Sequence, residues 1–443
     1  MRLVISVSVV ISMVTCSAWA QNGDTGVTTM DEMVVVGEKI VTPTKQANEQ
    51  VYTGTEITGS GMELPGVKAD VSVYEAMDLL PGVQVESVDP FGLAAEQKNT
   101  RVRGVRGYLG SMTVEGIPSW GGNPMGPREY IYDMKNFESI AVYKGAIPAA
   151  LGTGVGARGG AVELRPKWPD AEKRGIDIDT NLGSNRYSRI FSRIDTGRIG
   201  EAGTALSLSA SYTDADKWKG PGDLGPRFNT NFMVSQPYHG DDVIRLWVNH
   251  NEVEQHLYKT LTFAETRSLR DNYSSDFNDR LTGVRATDIN YYDNNRAKHD
   301  NTDLLAVIPF TFNDVFKAAI KPYYSKEDAD IFQGVASQGG MVQKRIRDIE
   351  RYGVLSQVDM NFAPVRLSVG HLFESSDMVI NTEMYNPITG AFGGYGIRTE
   401  NDDSGYLNSP FVSLAGSVGA MDWQAGLKYF RYREPASQGY RSV

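Results

Sequence analysis

Residues 137–166 decide the fold, and they read Phe-Glu-Ser-Ile-Ala-Val-Tyr-Lys-Gly-Ala-Ile-Pro-Ala-Ala-Leu-Gly-Thr-Gly-Val-Gly-Ala-Arg-Gly-Gly-Ala-Val-Glu-Leu-Arg-Pro. The pattern predicts a short strand, a one-turn helix, a glycine-rich crossing and a second strand. The residues before this stretch predict a compact mixed domain, and those after it predict a long series of alternating strands. The stretch therefore joins two architectures.

The glycine run inside this stretch has two possible meanings. Gly154-Val155-Gly156-Ala157-Arg158-Gly159 matches the dinucleotide-binding pattern letter for letter. That pattern should open a helix after a parallel strand, with an acidic residue about 20 positions later. Here the glycines lead into a strand, so a tight backbone turn is favoured over phosphate binding.

Composition limits the protein class. The chain has 443 residues, 41% of them hydrophobic and 22% charged, which is too apolar for disorder and too polar for helical membrane spans. Its formal net charge of -10 argues against nucleic acid as a partner, because phosphate binding needs a basic face.

The N-terminus has the pattern of an export signal. Arg2 precedes an apolar run from Leu3 to Val14, and Ala18-Trp19-Ala20 fits a cleavage site, so residues 1–20 are predicted to be a signal peptide. A lipoprotein cysteine at Cys16 is the alternative. Cys16 is the only cysteine, so the mature chain is expected to contain no disulfide.

A short apolar tag follows the signal. Residues 31–37 read Asp-Glu-Met-Val-Val-Val-Gly, an acidic step followed by a β-branched run. One interpretation is a disordered arm with an accidental apolar patch. The other is an extended peptide that adds to the sheet edge of a partner.

The next segment predicts a small α+β domain. Val73, Ala76, Met77 and Leu80 have helical spacing, and Pro81-Gly82 ends the helix. Short strands with glycine breaks follow up to residue 143. The loops between them are too long for a minimal core.

Past residue 169 the hydrophobic period is two. Leu206, Leu208, Ala210 and Tyr212 alternate with serines, for example. Tight turns near 198–200, 240–241, 313–314, 363–364 and 419–420 alternate with long polar segments at 214–226, 259–302, 333–348 and 386–405. This alternation is typical of an outer-membrane barrel, with about eleven strands after Ile176. An open edge is unstable in lipid, so we expect a longer parent barrel.

Five successive motifs now support a family resemblance: the chain resembles a TonB-dependent outer-membrane receptor over nearly its whole length. The motifs are the tag at 31–37, Leu79–Val85, Val102–Gly104, Val114–Pro118 and Phe137–Leu164. The resemblance implies a signal peptide (1–20), an arm with a TonB box (21–50), a plug domain (51–169) and an incomplete barrel (170–443). The implied fold is an α+β plug inside an antiparallel transmembrane β-barrel of 22 strands, with about half of the strands present.

The resemblance also implies a function. Such a receptor lies in the Gram-negative outer membrane, in contact with its lipid, and imports an extracellular ligand, most commonly a ferric siderophore. Haem, cobalamin, a nickel chelate or an oligosaccharide are alternative ligands, and a signal transducer is an alternative role. Energy comes from the periplasmic partner TonB, which pairs with Asp31, Glu32, Met33, Val34, Val35 and Val36. No cofactor, bound metal, catalytic residue or enzymatic activity is expected.

The resemblance places ligand contacts at the plug apices. The expected residues are Arg106, Tyr108, Trp120, Asn123, Arg128, Tyr130 and Tyr132. Aromatic and Arg side chains suit a bulky, anionic chelate. The alternative is that these side chains pack the plug against the barrel. Lys144 replaces the Arg that the family uses as a plug–barrel lock, and a lysine lacks the two-pronged geometry of Arg.

The remaining candidates are weaker. The five histidines, 239, 250, 256, 299 and 371, show no metal-ligand spacing, although His250 and His256 are placed to face the same side. The acidic segment 259–302 is predicted to be a solvated outer loop rather than a calcium site.

Overall fold

The computed structural model describes residues 42–47, 54–106, 112–121, 126–153 and 160–440. The signal peptide, the tag and the glycine run at 154–159 lie outside these residues. The described residues form a mixed N-terminal domain, the plug, followed by a large antiparallel sheet, the barrel sheet. The predicted fold class is confirmed.

The plug contains eleven short strands and two short helices. The strands are β1 (Thr44–Gln46), β2 (Gly54–Thr58), β3 (Val83–Ser87), β4 (Lys98–Val102), β5 (Val105–Arg106), β6 (Met112–Val114), β7 (Ile117–Pro118), β8 (Trp120–Gly121), β9 (Gly126–Pro127), β10 (Phe137–Tyr143) and β11 (Ala161–Pro166). The helices are α1 (Gly59–Met62) and α2 (Val73–Met77), with 3₁₀ helices at Val67–Asp70 and Met134–Asn136.

The stretch 137–166 forms the centre of the plug. Its two ends are β10 and β11, which pair antiparallel from Phe137 opposite Pro166 to Tyr143 opposite Ala161. They are the middle strands of a six-stranded sheet in the order β1-β2-β10-β11-β6-β7. The predicted one-turn helix is instead a single hydrogen-bonded turn from Pro148 to Leu151.

Two of the family motifs are tight hairpins with the same backbone. Arg103 and Gly104 have φ of +51° and +78°, and Glu115 and Gly116 have φ of +53° and +81°. Two successive residues with positive φ are the requirement of the type I′ turn, which matches the twist of the strands it joins. The Glu115 hairpin reaches the barrel sheet, because a side-chain carbon at Gly116 would lie 3.3 Å from Leu355.

The predicted helix is α2, and its four spaced residues are buried. Ser72 caps it, its hydroxyl accepting a hydrogen bond from the Glu75 N–H. The helix is only five residues long and depends on burial rather than on propensity.

The barrel sheet contains fourteen strands. They are β12 (Arg174–Leu182), β13 (Ser188–Ile199), β14 (Thr204–Asp214), β15 (Arg227–His239), β16 (Asp242–His256), β17 (Arg296–Thr311), β18 (Phe316–Val335), β19 (Met341–Phe362), β20 (Val365–Tyr385), β21 (Phe392–Asn401), β22 (Gly405–Val418), β23 (Met421–Lys428), β24 (Arg431–Arg433) and β25 (Ser437–Tyr440). Strands β12 to β20, then β22 and β23, are eleven successive antiparallel neighbours.

The barrel sheet has two chemically different faces. The inner face packs on the plug, and the two domains share one buried apolar cluster that includes Trp247 and Tyr132. The outer face leaves large apolar side chains exposed, with Ile176 67%, Leu208 56% and Tyr352 55% exposed. An apolar band facing outwards and a polar interior are the pattern of a membrane barrel.

The turns alternate in length, as predicted. At one end, the short-turn end, β15 and β16 are joined by Gly240-Asp241 and β22 and β23 by Gly419-Ala420, with Gly240 and Gly419 at φ of +54° and +62°. At the other end, the long-loop end, the connection from β16 to β17 carries three short helices, α3 (Phe263–Thr266), α4 (Leu269–Asn272) and α5 (Arg285–Asp288), and a 3₁₀ helix at Tyr292–Asn294.

Three predicted loop boundaries are wrong. The segment 259–302 becomes strand at Arg296, 333–348 is loop only at 336–340 with a 3₁₀ helix at Ser337–Gly339, and 386–405 contains β21. Their sequences resemble loop because polar residues occupy both faces, so no apolar/polar alternation marks the strand, although inward residues such as His299 and Asn301 are buried. Within the described residues, no helix is long and apolar enough to cross a membrane.

Candidate functional site

The inner face of the barrel sheet holds the plug through a set of buried charges, and Asp303 on β17 is the most connected of them. The Arg128 guanidinium donates to both Asp303 carboxylate oxygens, at 2.7 and 2.8 Å. The hydroxyls of Tyr132 and Ser325 also donate to Asp303, at 3.2 and 2.7 Å. Both bonds come from Nη2 of Arg128, and because Arg128 is 2% and Asp303 7% exposed, this is a desolvated ion pair between plug and wall.

A second contact fixes Trp120. Its indole N–H donates to Glu374 on β20 at 3.0 Å, and the Arg351 guanidinium lies 4.4 Å from its ring centroid. Arg351 also donates to Glu374 at 3.0 Å, and Tyr323 donates to the same carboxylate at 2.6 Å. The ring is therefore held by a cation–π contact and a charge-assisted hydrogen bond.

Two further ion pairs join plug and wall. Arg189 on β13 donates to Asp133 at 2.8 and 3.0 Å, with both side chains buried. Arg347 on β19 pairs with Glu96 of the plug and lies 2.9 Å from Glu327 of the wall. Breaking a buried pair of this kind leaves an unpaired buried charge, which costs about 3–5 kcal/mol.

The Glu115 hairpin makes a further link. Lys321 on β18 donates to the Glu115 carbonyl at 2.7 Å, and the Trp168 indole donates to the Glu115 carboxylate at 3.0 Å. Burial acts to raise the pKa of Glu115, but the charge of Lys321 and the Trp168 hydrogen bond outweigh it and hold this pKa below its usual range. The carboxylate that the family motif places here is thus ionised and fixed to the wall.

The structure shows where four of the seven predicted ligand residues lie. Trp120, Arg128, Tyr130 and Tyr132 are all at most 4% exposed and turn towards the barrel wall. Tyr130 contacts His299 on β17, with a 3.3 Å distance between the hydroxyl and Nδ1. Arg106 ends β5, and Tyr108 and Asn123 lie outside the described residues. Ligand contact by these seven residues stays a prediction.

Lys144 makes its observed contact within the plug. Its ammonium donates to the Pro81 carbonyl at 2.9 Å. Partial burial, with the charge of Arg103, lowers the pKa of Lys144. The role of Lys144 as a plug–barrel lock stays a prediction.

Sequence reasoning missed the residues that hold the plug. They are Glu96, Asp133, Arg189, Asp303, Lys321, Arg347 and Glu374. One signal in the sequence could have found those of these residues that lie on strands. Side chains on a strand alternate between its two faces, so Asp303, which lies between Leu304 and Thr302, points to the face opposite the apolar outer one. Their partners could not be found in this way, since each pair is separated by many residues along the chain.

The histidines do not converge. His299 is buried against the plug, whereas His250 contacts Thr302 and His256 contacts Asp223 on the outer side of the loops. In the described part of the chain, no group of three His, Cys, Asp or Glu is arranged to hold a metal ion.

Comparison with known proteins gives a matching plug domain and a fold. The family model of the TonB-dependent receptor plug domain matches residues 55–161. No curated protein matches the sequence. Among solved structures, the ferric citrate transporter FecA in the unliganded form is similar at a TM-score of 0.66 and 14% identity, over 89% of this chain and 57% of that one.

Two further solved structures have the same fold. The pyoverdine receptor FpvA of Pseudomonas aeruginosa PAO1, bound to pyoverdine, has a TM-score of 0.64 and 13% identity, over 88% of this chain and 58% of its own. The siderophore receptor PiuA of Acinetobacter baumannii has a TM-score of 0.62 and 13% identity, over 88% and 60%. This chain therefore spans somewhat more than half the length of these proteins.

Removing the charge at the centre of the plug–wall contact tests its role. We expect Asp303→Asn to leave Arg128 buried without its counter-charge and to raise the protease sensitivity of the plug at least 100-fold, in line with a loss of about 3 kcal/mol or more. Asp300→Asn, on the outward face of the same strand, is the control and should change nothing measurable. Equal sensitivity of the two variants would contradict the assignment.

Asp70 makes the plug–wall contact dependent on pH. Burial raises the pKa of Asp70 to about 6, against the attraction of Arg189 and Lys135. In the seated plug the Asp70 carboxyl keeps its proton up to about pH 6, whereas an exposed aspartate loses its proton at about pH 4. The stability of the plug–wall contact should therefore fall as pH rises from about 4 to 6.

Plug protection from protease in detergent, followed against pH, measures this effect. Asp70→Asn should match the wild type at pH 4 and be more protected above pH 7, by on the order of 3 kcal/mol. Asp170→Asn, at a solvent-exposed carboxyl, should follow the wild type at every pH. A constant offset between Asp70→Asn and the wild type across the whole range would refute the proton linkage.

Proposed function

We propose that this chain, which carries the plug domain of the TonB-dependent receptors and the fold of their barrel, imports a ferric siderophore across the outer membrane. The imported chelate would bind at the long-loop end, outside the cell, and leave at the short-turn end, in the periplasm. Energy would come from the inner-membrane TonB complex through the tag at 31–36. The chain itself would perform no chemical step.

One observation supports this proposal above the others: a folded domain occupies the inner face of a membrane-type sheet and is held there by buried ion pairs. Arg128–Asp303 and Arg189–Asp133, together with Arg347 and the more exposed Glu96, link separate strands to separate parts of the plug. Such pairs are specific in geometry and can be rehydrated when they separate, and they surround the apolar cluster that plug and wall share. A plug–wall contact of this kind suits a plug that must move during import.

The same contacts explain why an energy-supplying partner is needed. Separating the plug from the wall would pull several ion pairs apart and expose the apolar cluster that plug and wall share, a cost that one chelate's differential affinity would have to match in full. Mechanical work on the N-terminal arm, which precedes the edge strand β1, would supply the difference. Strand addition at the tag gives the partner a hold on the chain through main-chain hydrogen bonds.

Two observations favour an iron chelate as the cargo, namely the similar solved structures and the cationic and aromatic side chains of the plug. The similar structures include a ferric citrate transporter and receptors for pyoverdine and other siderophores. Arg106, Tyr108 and Asn123 are the proposed chelate contacts, with Trp120, Arg128, Tyr130 and Tyr132 contributing where the plug meets the wall. Cationic and aromatic groups suit an anionic chelate.

Proline in the tag tests the link to TonB. Val35→Pro removes one main-chain N–H from the strand pairing, so we expect uptake of ⁵⁵Fe-labelled siderophores by iron-starved cells to fall at least tenfold, with chelate binding unchanged. Val35→Ala keeps the N–H and should import normally. Undiminished uptake by Val35→Pro would show that the tag is not the coupling segment, and import of haem or cobalamin in place of iron chelates would reassign the cargo.

The two roles given to the plug residues can be separated by substitution. Tyr108→Ala and Asn123→Ala should weaken chelate binding at least tenfold, measured by tryptophan fluorescence titration, and leave plug protection unchanged. Trp120→Phe keeps an aromatic ring but loses the donor to Glu374, so it should lower plug protection. The proposed chelate site is wrong if Tyr108→Ala and Asn123→Ala both bind with wild-type affinity.

A further inference from the structure

The inner face of the barrel sheet is not uniform. On β14, β15 and β16 it is lined by small neutral polar residues, which we call the Ser/Asn seam. These residues are Ser207, Ser209, Ser211, Thr213, Asn229, Asn231, Asn249 and Asn251. All eight are at most 3% exposed, so the plug and the neighbouring strands cover them.

The seam and the arginine beside it hold the plug through neutral acceptors. Asn229 and Asn249 both donate to the Ile131 carbonyl, at 2.9 and 3.0 Å. Ser209 donates to the Asn136 side chain at 2.8 Å, and Arg227, on the same face, donates to the Tyr132 carbonyl at 2.8 Å. Water can replace the contacts of Asn229, Asn249 and Ser209 at little net cost, since a neutral hydrogen bond contributes only about 0.5–1.5 kcal/mol, whereas the bond from the charged Arg227 contributes about 1.5–3 kcal/mol.

The neighbouring strands hold the plug through charges. Arg189 on β13, Asp303 on β17, Lys321 on β18 and Arg347 on β19 each pair with an oppositely charged plug side chain. In the parts of the chain that the structure describes, no ion pair joins the plug to β14, β15 or β16. The plug therefore sits between two ionic walls and, between them, a wall that no ion pair to the plug crosses, which we call the neutral wall although Arg227 and Arg245 lie on its inner face.

Several polar atoms along the neutral wall are buried without a protein partner. Among the described residues they include Ser211 Oγ, Thr213 Oγ1, Asn251 Nδ2, Arg227 Nη1 and, on the plug, Asn136 Nδ2, and the ionic walls hold such atoms as well, for example Arg189 Nε and Arg347 Nε. A buried polar group left unpaired costs about 1–3 kcal/mol. Admitting water between plug and seam would relieve that cost without separating an ion pair.

A cavity of about 880 Å³ lies where the same three strands approach the short-turn end. Ala205, Ser235 and Arg245 line it from the wall, and Met134, Phe137 and Trp168 line it from the plug side. Each of these wall residues is two positions from another inward-facing residue on its own strand. Ala205 is next to Ser207 on the inner face, Ser235 to Met233 and Arg245 to Trp247. The cavity and the seam thus lie along the same face of these strands.

One aromatic layer separates the cavity from the seam. The ring of Trp247 lies 5.9 Å from that of Tyr132 and 6.5 Å from that of Phe137, and Met233 is fully buried beside them. Tyr132 and Phe137 belong to the plug, so a shift of the plug would remove two of the three rings. The wall's own Trp247 would remain.

A second cavity, of about 440 Å³, lies against β18 to β23 but is less suited to form a route. The plug turn beside it is tied to the wall by Lys428, which donates to the Leu151 carbonyl at 2.9 Å, and by Ser409, which donates to the Thr153 carbonyl. The plug turn at this second cavity therefore lies on the side of the plug that faces β17–β19, where ion pairs hold it.

We propose that the plug separates from the Ser/Asn seam first while the ionic walls keep hold of it, and that the imported solute passes along β14–β16 into the 880 Å³ cavity. Hydroxyl and amide groups line the seam, and charged side chains such as Arg193, Asp195 and Arg245 line the cavity, so the route suits an oxygen-rich, hydrogen-bonding solute. The inference rests on the proposed import function and adds to it the side of the plug along which the solute passes.

Two matched cross-links test the side. Because Cys16 is the only cysteine, new pairs can be introduced cleanly. Asn136→Cys with Ser209→Cys would tie the plug to the seam, and Thr153→Cys with Ser409→Cys would tie it to the opposite wall. A short bismaleimide joins each pair in cells, and a gel shift reports the extent of cross-linking. Siderophore uptake is compared before and after cross-linking.

We expect the 136–209 cross-link to lower uptake at least tenfold and the 153–409 cross-link to leave it within twofold of the uncross-linked protein. Equal inhibition by both cross-links would indicate that the plug leaves as a unit. No inhibition by the 136–209 cross-link would place the route elsewhere. Either result overturns the proposal.

A labelling experiment distinguishes failure of this inference from failure of the proposed function. Ser211→Cys in the seam should react with a maleimide at least tenfold faster in energised cells than in cells without TonB, whereas Ser325→Cys on the ionic wall should not. Labelling of Ser211→Cys without any siderophore uptake would support the seam and refute the cargo. Siderophore uptake with Ser211→Cys unlabelled would refute the seam.

Discussion

The structure depends on the desolvated charge pairs between plug and wall. Asp303 accepts from Arg128, Tyr132 and Ser325 at once, so one wall carboxylate orients two plug side chains. The plug's own elements are short, with α2 five residues long and most strands no longer than six. Elements of that length have little independent stability, and the contacts to the wall are what fix their positions.

The sequence predicted the repeating features well. The period of two in β14 and the hairpins at Gly104 and Gly116 follow from local chemistry, since alternation and paired positive φ are properties of neighbouring residues. The partners of Arg189 and Trp120 did not follow, because they come from contacts 56 and 254 residues apart. The four predicted ligand residues that the structure describes are buried and face the wall, and ligand contact by the predicted set stays a prediction.

The difference between the neutral and ionic parts of the wall also escaped sequence analysis. Serines alternate with apolar residues along β14 as they would on any strand with one wet face. Only the register across β14, β15 and β16 shows that the serines and asparagines form one continuous surface. A lateral surface of this kind is a property of strand pairing, not of any single strand.

The length of β18, β19 and β20 has a consequence for the entrance. They contain 20, 22 and 21 residues, whereas about 9–11 suffice to cross a bilayer. At about 3.4 Å per residue, a hydrogen-bonded rim therefore extends roughly 30 Å beyond the lipid in the proposed location. Strands that are paired by hydrogen bonds keep a fixed spacing. The width of the opening, and with it the largest molecule that can enter, would therefore be set by these paired strands above the membrane surface rather than by flexible loops.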